Sequence, residues 1–228
     1  MIVWQYIACL VVGYLMGSIP VGYLVAKRTA KVDVREHGSG KTGTTNVLRT
    51  AGIRAAAIVV TGDLLKGVLA VVFAGLIMGK SYLAVGSFGF GLPLGQVLAA
   101  FAAVLGHNWP VFLKFRGGRG VATFFGGMAA FLPVAALFGG EIFLIGAVVT
   151  RFASLGSIAG VVGIYAIVVP LTVLNGWPLE YLVYSLVGTL VIVIMHRGNI
   201  ARLIAGKERR LGEKAEDLKS SPSEEGGV

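Results

Sequence analysis

Seven stretches of the chain are almost continuously apolar, near 2–26, 54–78, 92–106, 121–133, 135–150, 155–174 and 179–195. Such runs read as membrane helices, although several fall short of the roughly 20 residues of a full span. Pro133 separates the fourth run from the fifth. The pair is taken as two short helices meeting at a turn rather than one kinked span. The predicted fold is an all-α integral membrane protein with about seven transmembrane helices.

The polar positions between the runs set an orientation. With seven crossings, one side holds 27–53, 107–120, 151–154 and everything after 195. That side carries Lys27, Arg28, Lys31, Arg35, Lys41, Arg49, Lys114, Arg116, Arg119, Arg151 and the cations of the tail, whereas the other has only Lys80. Cations collect in cytoplasmic loops, so an outside N-terminus and a cytoplasmic C-terminus are predicted. Composition agrees: 228 residues, 56% hydrophobic and 14% charged, are too apolar for a water-soluble domain. The first run lacks a basic start and is long enough to span, so it reads as a helix and not as a cleavable leader. The lone cysteine, Cys9, lies inside it and reads as core or lipid-facing. From Gly206 the chain turns polar and charged. Residues 206–228 are expected to form a largely disordered cytoplasmic tail behind a transmembrane domain at 1–205.

The candidate chemistry lies in the loops. Residues 106–123 read GHNWPVFLKFRGGRGVAT, with cations Lys114, Arg116 and Arg119 beside Gly117, Gly118 and Gly120, and a hydroxyl at Thr123. Glycines let backbone N–H groups turn inward without a Cβ in the way, and such concavities bind anions. A helix starting near Gly120 adds its positive N-terminal end. A topology signal explains the cations but not the glycines, so the segment predicts a phosphate site at a membrane surface, with His107 at its start.

The first loop, 37–52, reads HGSGKTGTTNVLRTAG. Its Gly40-Lys41-Thr42 mimics the end of a P-loop. That motif needs a glycine where Arg35 stands and a strand before it, so it is rejected. What remains is an anion-friendly loop: donors Ser39, Thr45, Asn46 and Arg49, with Gly40 allowing close backbone approach. Asp63 and Lys66, three apart in the second long run, form a neutralising pair or let Lys66 assist the anion site. Glu141 has no close partner in sequence. Ser154 and Ser157 either donate to a ligand or bond back to their own helix. In the last loop His196, Asn199 and Arg202 recur at three-residue spacing and share a helix face. No metal-ligand set, Ser–His–Asp arrangement or His with an Asp five positions on is present. No cofactor and no nucleic-acid partner is expected.

The segments GSGKTGTTNVLR, GHNWPVFLKFRGGRGVAT, RFASLGS and HRGNIARLIAGKE, in this order, resemble the bacterial acyl-phosphate:glycerol-3-phosphate acyltransferase family. The resemblance covers residues 1 to about 210. It implies a seven-helix enzyme of the bacterial cytoplasmic membrane, active on the cytoplasmic side. It implies acyl transfer from a long-chain acyl phosphate to the 1-hydroxyl of glycerol 3-phosphate, giving lysophosphatidic acid and inorganic phosphate. Membrane lipid and the soluble enzyme that makes acyl phosphate are the implied partners. Carried over residue by residue, Ser39 and Arg49 match active-site residues of the first loop, Ser154 the third motif, and His196 and Asn199 the last. Arg119 stands where many members have lysine. Lys41 and Thr44 replace a frequent asparagine and alanine. The expected catalytic set is Ser39, Arg49, Arg119, His196 and Asn199. The expected substrate-binding set is Gly40, Lys41, Thr45, Asn46, Lys66, His107, Gly117, Gly118, Gly120, Thr123, Ser154 and Ser157.

The bottom-up chemistry fits this. An acyl phosphate carries a good leaving group, so positioning two anions and stabilising an oxyanion suffice. His196 and a substrate phosphate oxygen compete as proton acceptor. A transporter of an organic phosphate or lipid is the alternative, but it calls for polar groups through the bilayer, and here they crowd one side.

Overall fold

Pro20 has no N–H to donate and breaks the first apolar run in two. In the computed structural model, which describes residues 2–85 and 88–215, helix α1 (Ile2–Ser18) ends there and α2 (Val21–Thr29) begins. The remaining helices are α3 (Thr44–Met78), α4 (Leu92–Asn108), α5 (Val121–Phe131), α6 (Pro133–Thr150), α7 (Ala153–Asn175), α8 (Leu179–Met195) and α9 (Arg197–Ile204). Between α3 and α4 lies a short antiparallel hairpin, β1 (Leu83–Val85) with β2 (Phe88–Phe90), pairing Leu83 with Phe90.

Each apolar run after the first has become a single helix, with two differences in extent. α3 starts ten residues earlier than the run at 54. Its first two turns are polar and project beyond the apolar part, and Gly52 (φ 83°) bends the chain between the two. α5 is only 11 residues long. At 1.5 Å per residue it reaches about 16 Å, against a hydrocarbon core of about 30 Å. Among the described residues, five helical segments are long and apolar enough to cross a membrane, and a sixth if α8 and α9, bent by 59°, count as one.

Small residues hold the bundle together. A Cβ at Gly13 or Gly17 of α1 would meet the carbonyl oxygens of Ala99 and Ala103 on α4. Gly67 and Gly126 do the same for α3 on α5. Backbones this close gain the dispersion contacts that replace the hydrophobic effect between membrane helices. Aromatic rings lock α5 to α8: Phe124 stacks on Tyr184 at 4.9 Å and Phe131 on Tyr181 at 4.4 Å. The Tyr184 hydroxyl donates to the Phe124 carbonyl at 3.1 Å.

The tail differs from expectation. Leu211 N donates to Arg151 O at 2.7 Å, and Arg49 Nη2 to the carbonyls of Arg209 and Arg210 at 3.1 and 3.2 Å. The stretch up to Ala215 is thus strapped across the loops. Residues 216–228, the rest of the predicted tail, lie outside the described residues.

Candidate active site

The loop ahead of α3 is laced by one side chain. Asn46 Nδ2 lies 2.9–3.0 Å from the carbonyls of Val34, His37 and Lys41, and its Oδ1 accepts from Ser39 N at 3.1 Å. Gly38 and Gly40 take positive φ on either side of Ser39. This folding presents Ser39, Lys41, Thr45 and Arg49 to a cavity of about 380 Å³. Asn46 was expected to donate to a substrate. It borders the cavity, yet its amide is spent on the loop's own carbonyls. Gly40 does not line the cavity, and its N–H is bonded to His37 O.

The glycine segment is also corrected. Gly118 N donates to His107 O at 3.0 Å and Gly117 N to Asn108 O at 3.2 Å, so neither N–H is free for an anion. Their lack of side chain serves packing: a Cβ at Gly117 would meet His107 O, and one at Gly118 would meet His107 Nε2. The anion-directed part of the turn lies two residues on. Gly120 (φ 79°) starts α5, and Arg119, Gly120, Val121 and Ala122 line the cavity. The first N–H groups of a helix have no intrahelical acceptor and carry its positive dipole end. Thr123, expected to face phosphate, is fully buried outside the lining, at the point where its backbone carbonyl packs against Gly67 of α3.

Behind this turn, Lys66 Nζ meets Asp63 Oδ1 at 2.9 Å, and His107 Nδ1 lies 3.4 Å from the same oxygen. Lys66 also donates to Ile19 O at 3.4 Å and does not line the main cavity. The neutralising-pair reading of Lys66 is the one realised. Asp63 and His107 do reach the cavity wall.

On the far side, α7 and α9 supply Ser154, Ser157, His196 and Asn199 to the same cavity. Ser157 bonds back to Ala153 O at 2.7 Å. Ser154 and Asn199 both donate to Glu208 Oε1, at 2.9 and 2.6 Å, and Arg202 Nε donates to its Oε2 at 2.8 Å. Glu208 was missed, being counted with the polar tail. Its signal in the sequence was a lone carboxylate closing the basic segment HRGNIARLIAGKE.

The electrostatics favour an anionic guest. Burial foremost, with the charges of Arg202 and Arg49, brings Arg119 down to about 10 against the opposing pull of Glu208, so it stays cationic near neutral pH. Burial, then the charges of Arg119 and Arg197, lower Lys41. The Nε atoms of Arg49 and Arg119 are buried with no hydrogen-bond partner among the described residues. Burial and the Arg119 charge push His196 down to about 4, so it is neutral. Its Nδ1–H donates to Ile192 O at 2.8 Å, which leaves Nε2 as an acceptor. Burial opposes the charge of Glu208, but the hydrogen bonds from Asn199 and Ser154 and the Arg202 charge outweigh it and hold its carboxyl low. The lining also has an apolar part, supplied by Val60, Leu64, Phe125, Phe143 and Leu144. All five expected catalytic residues line this one cavity. No cluster of His, Cys, Asp or Glu among the described residues is arranged to hold a metal.

The sequence model described as glycerol-3-phosphate acyltransferase matches residues 7–206. Glycerol-3-phosphate acyltransferase 3 of Dehalococcoides mccartyi (strain CBDB1) is 60% identical over 215 residues, covering 94% of this chain and 100% of that protein. The glycerol-3-phosphate acyltransferase of Clostridioides difficile (strain 630) is 42% identical over 217 residues, covering 94% and 99%. Among solved structures, PlsY, an integral membrane glycerol 3-phosphate acyltransferase in its glycerol 3-phosphate form, superposes with a TM-score of 0.77 at 34% identity, covering 91% of this chain and 96% of that one. Its lysophosphatidic acid form gives 0.75 at 33%, covering 91% and 95%.

Proposed function

The chain belongs to the glycerol-3-phosphate acyltransferase family, and on that premise we propose that it moves a fatty acyl group from an acyl phosphate to the 1-hydroxyl of glycerol 3-phosphate. The products are lysophosphatidic acid, which opens phospholipid synthesis, and inorganic phosphate. One observation carries the reading: Ser39, Arg49, Arg119, His196 and Asn199 meet in a single cavity whose lining combines cationic and apolar side chains. The cations suit two phosphate groups, and the apolar side chains suit an acyl chain.

The hydroxyl oxygen attacks the acyl carbonyl carbon, the carbon–oxygen bond to phosphate breaks, and phosphate leaves with the hydroxyl proton. Arg119 and Arg49 hold the phosphates by charge-assisted hydrogen bonds, and Ser39 and Asn199 orient the reacting groups. His196 Nε2 receives a hydrogen bond from the attacking hydroxyl. A histidine held at about 4 is a weaker base than a phosphate oxygen, whose second pKa is about 6. The proton therefore goes to phosphate, and no cofactor is needed.

The segments that follow α2, α4 and α8, and the start of α7 just after the α6 loop, all contribute to one cavity. Each intervening helix pair therefore leaves and returns to the same end of the bundle. This supports seven crossings, with short α5 counted as one. The cation excess of these loops supports an outside N-terminus, a cytoplasmic C-terminus and a cytoplasmic site in a bacterial plasma membrane. A soluble enzyme that makes acyl phosphate is the natural supplier on that side. The catalytic unit extends past 205 to include the strap with Glu208.

The test is purified protein in lipid nanodiscs with glycerol 3-phosphate and palmitoyl phosphate. The expected result is equal release of inorganic phosphate and lysophosphatidic acid, with no product from palmitoyl-CoA. Turnover of palmitoyl-CoA but not of palmitoyl phosphate would overturn the assignment of the donor.

A further inference from the structure

Glu141 is used by nothing described above. It lies midway along α6, about 12 Å from Pro133 and about 13 Å from Thr150 at 1.5 Å per residue. A glutamate side chain spans too little to reach either surface of a core about 30 Å thick. It is exposed on the outside of the bundle, does not line the cavity, and has no ion pair or hydrogen bond among the described residues. The opposite side of α6 carries Gly139 and Gly146, which pack on α7.

The exposed positions of α6 also include Phe138, Ile145 and Val149, and five of the exposed positions run in one line along the helix. Val134, Leu137, Glu141, Leu144 and Val148 follow one another at spacings of three, four, three and four residues. The four apolar ones are 53%, 70%, 58% and 70% exposed. Such alternation is the seam of a left-handed helix pair, and a polar residue at one inner position fixes register and partner number. A carboxyl facing hydrocarbon is costly and persists where a polar group meets it at the same depth.

We infer that α6 is a self-association surface, on which two copies of this chain pack about a twofold axis with their Glu141 carboxyls hydrogen-bonded to each other. A second copy is favoured over an unrelated helix because the symmetry itself brings an identical group to the identical depth. Asp63 and Lys66, the other charged side chains set away from the ends of the apolar runs, are already paired with each other. The pair is balanced when a protonated carboxyl donates its O–H to an oxygen of its mate, and interhelical hydrogen bonds of this type strengthen association in membranes. Leu144 also lines the cavity, so the seam runs beside the apolar part of its lining. The inference needs only that α6 spans a membrane and not any particular acyl donor.

The experiment is oxidative cross-linking in native membranes. In a Cys9→Ser background, Leu137→Cys and Val148→Cys should give disulfide-linked dimers, whereas Leu76→Cys, equally exposed on α3, should not. Adding Glu141→Leu should lower the cross-linked fraction several-fold, and Glu141→Gln should preserve it, since an amide can pair with its mate. Acyltransferase turnover and elution profile verify folding of each variant. Equal cross-linking at position 76, or no effect of Glu141→Leu, would overturn the inference.

Discussion

Asn199 donates its side-chain amide to Glu208 Oε1 across 2.6 Å, joining α9 to a segment whose composition is that of a solvated tail. The Glu208 side chain is only 4% exposed and also takes Ser154 and Arg202 as donors. Removing it leaves three polar groups around a hole. Glu208→Ala should destabilise the protein by on the order of 2–3 kcal/mol, because the buried donors Ser154 and Asn199 and the partly exposed Arg202 lose a charged acceptor. Truncation after Gly206 should do the same, and truncation after Lys219 should be nearly silent. Thermal unfolding in detergent measures all three. An unshifted midpoint for Glu208→Ala removes the strap from the account.

The contrast between α8 and the strap shows what was legible. Leu179–Met195 is a continuous apolar run, and its ends were placed without error, because burial in lipid is written residue by residue in composition. The polar start of α3 carries no such signal, since a helix projecting from the membrane looks like a loop. Gly117 and Gly118 were rightly singled out and wrongly explained. Glycine marks a close approach, and the sequence does not say whether the neighbour is a ligand or His107. Ser39, Arg49, Arg119, His196 and Asn199, which line one cavity, were singled out because cations, small donors and imidazole are costly decorations for an apolar protein. Glu208 was not, because a carboxylate in a charged tail is ordinary. Its role comes from a fold that returns the chain to α7.

The orientation can be read directly. In a Cys9→Ser background, cysteines replacing Lys114 and Lys207 should resist a membrane-impermeant maleimide in sealed cells, and one replacing the exposed Tyr82 should react. Labelling at Lys114→Cys or Lys207→Cys from outside, with Tyr82→Cys protected, inverts the topology.

Arg119 and Arg116 separate an anion site from a topology signal. Arg119 lines the cavity at the start of α5, whereas Arg116 is exposed on the preceding loop. Arg119→Ala should cost about 2–4 kcal/mol of transition-state stabilisation, as expected for one preorganised charged donor. That is roughly 30- to 1,000-fold in turnover. Arg119→Lys should recover most of it by keeping the charge, and Arg116→Ala should change turnover less than about threefold. Wild-type turnover in Arg119→Ala beside an inactive Arg116→Ala would move the phosphate to the exposed loop.

The neutrality of His196 has a signature in stability. Burial, then the Arg119 charge, push its folded value down to about 4, against about 6.5 for an unfolded histidine. Between these values the unfolded chain binds a proton that the native protein excludes. Stability is therefore full above about pH 6.5 and declines as pH falls toward 4, by an amount on the order of 3 kcal/mol. The carboxyl of Glu208, held low in the fold, acts in the same direction but in a lower window, losing its contribution only as pH falls below the usual carboxylate range. The two are separable by substitution. His196→Gln keeps a polar group beside Ile192 O and cannot titrate, so its thermal midpoint should fall less between pH 7 and 5 than that of the unaltered protein. Parallel curves across that interval would mean that His196 takes up its proton as readily folded as unfolded. The phosphate oxygen would then lose its advantage over His196 as proton acceptor.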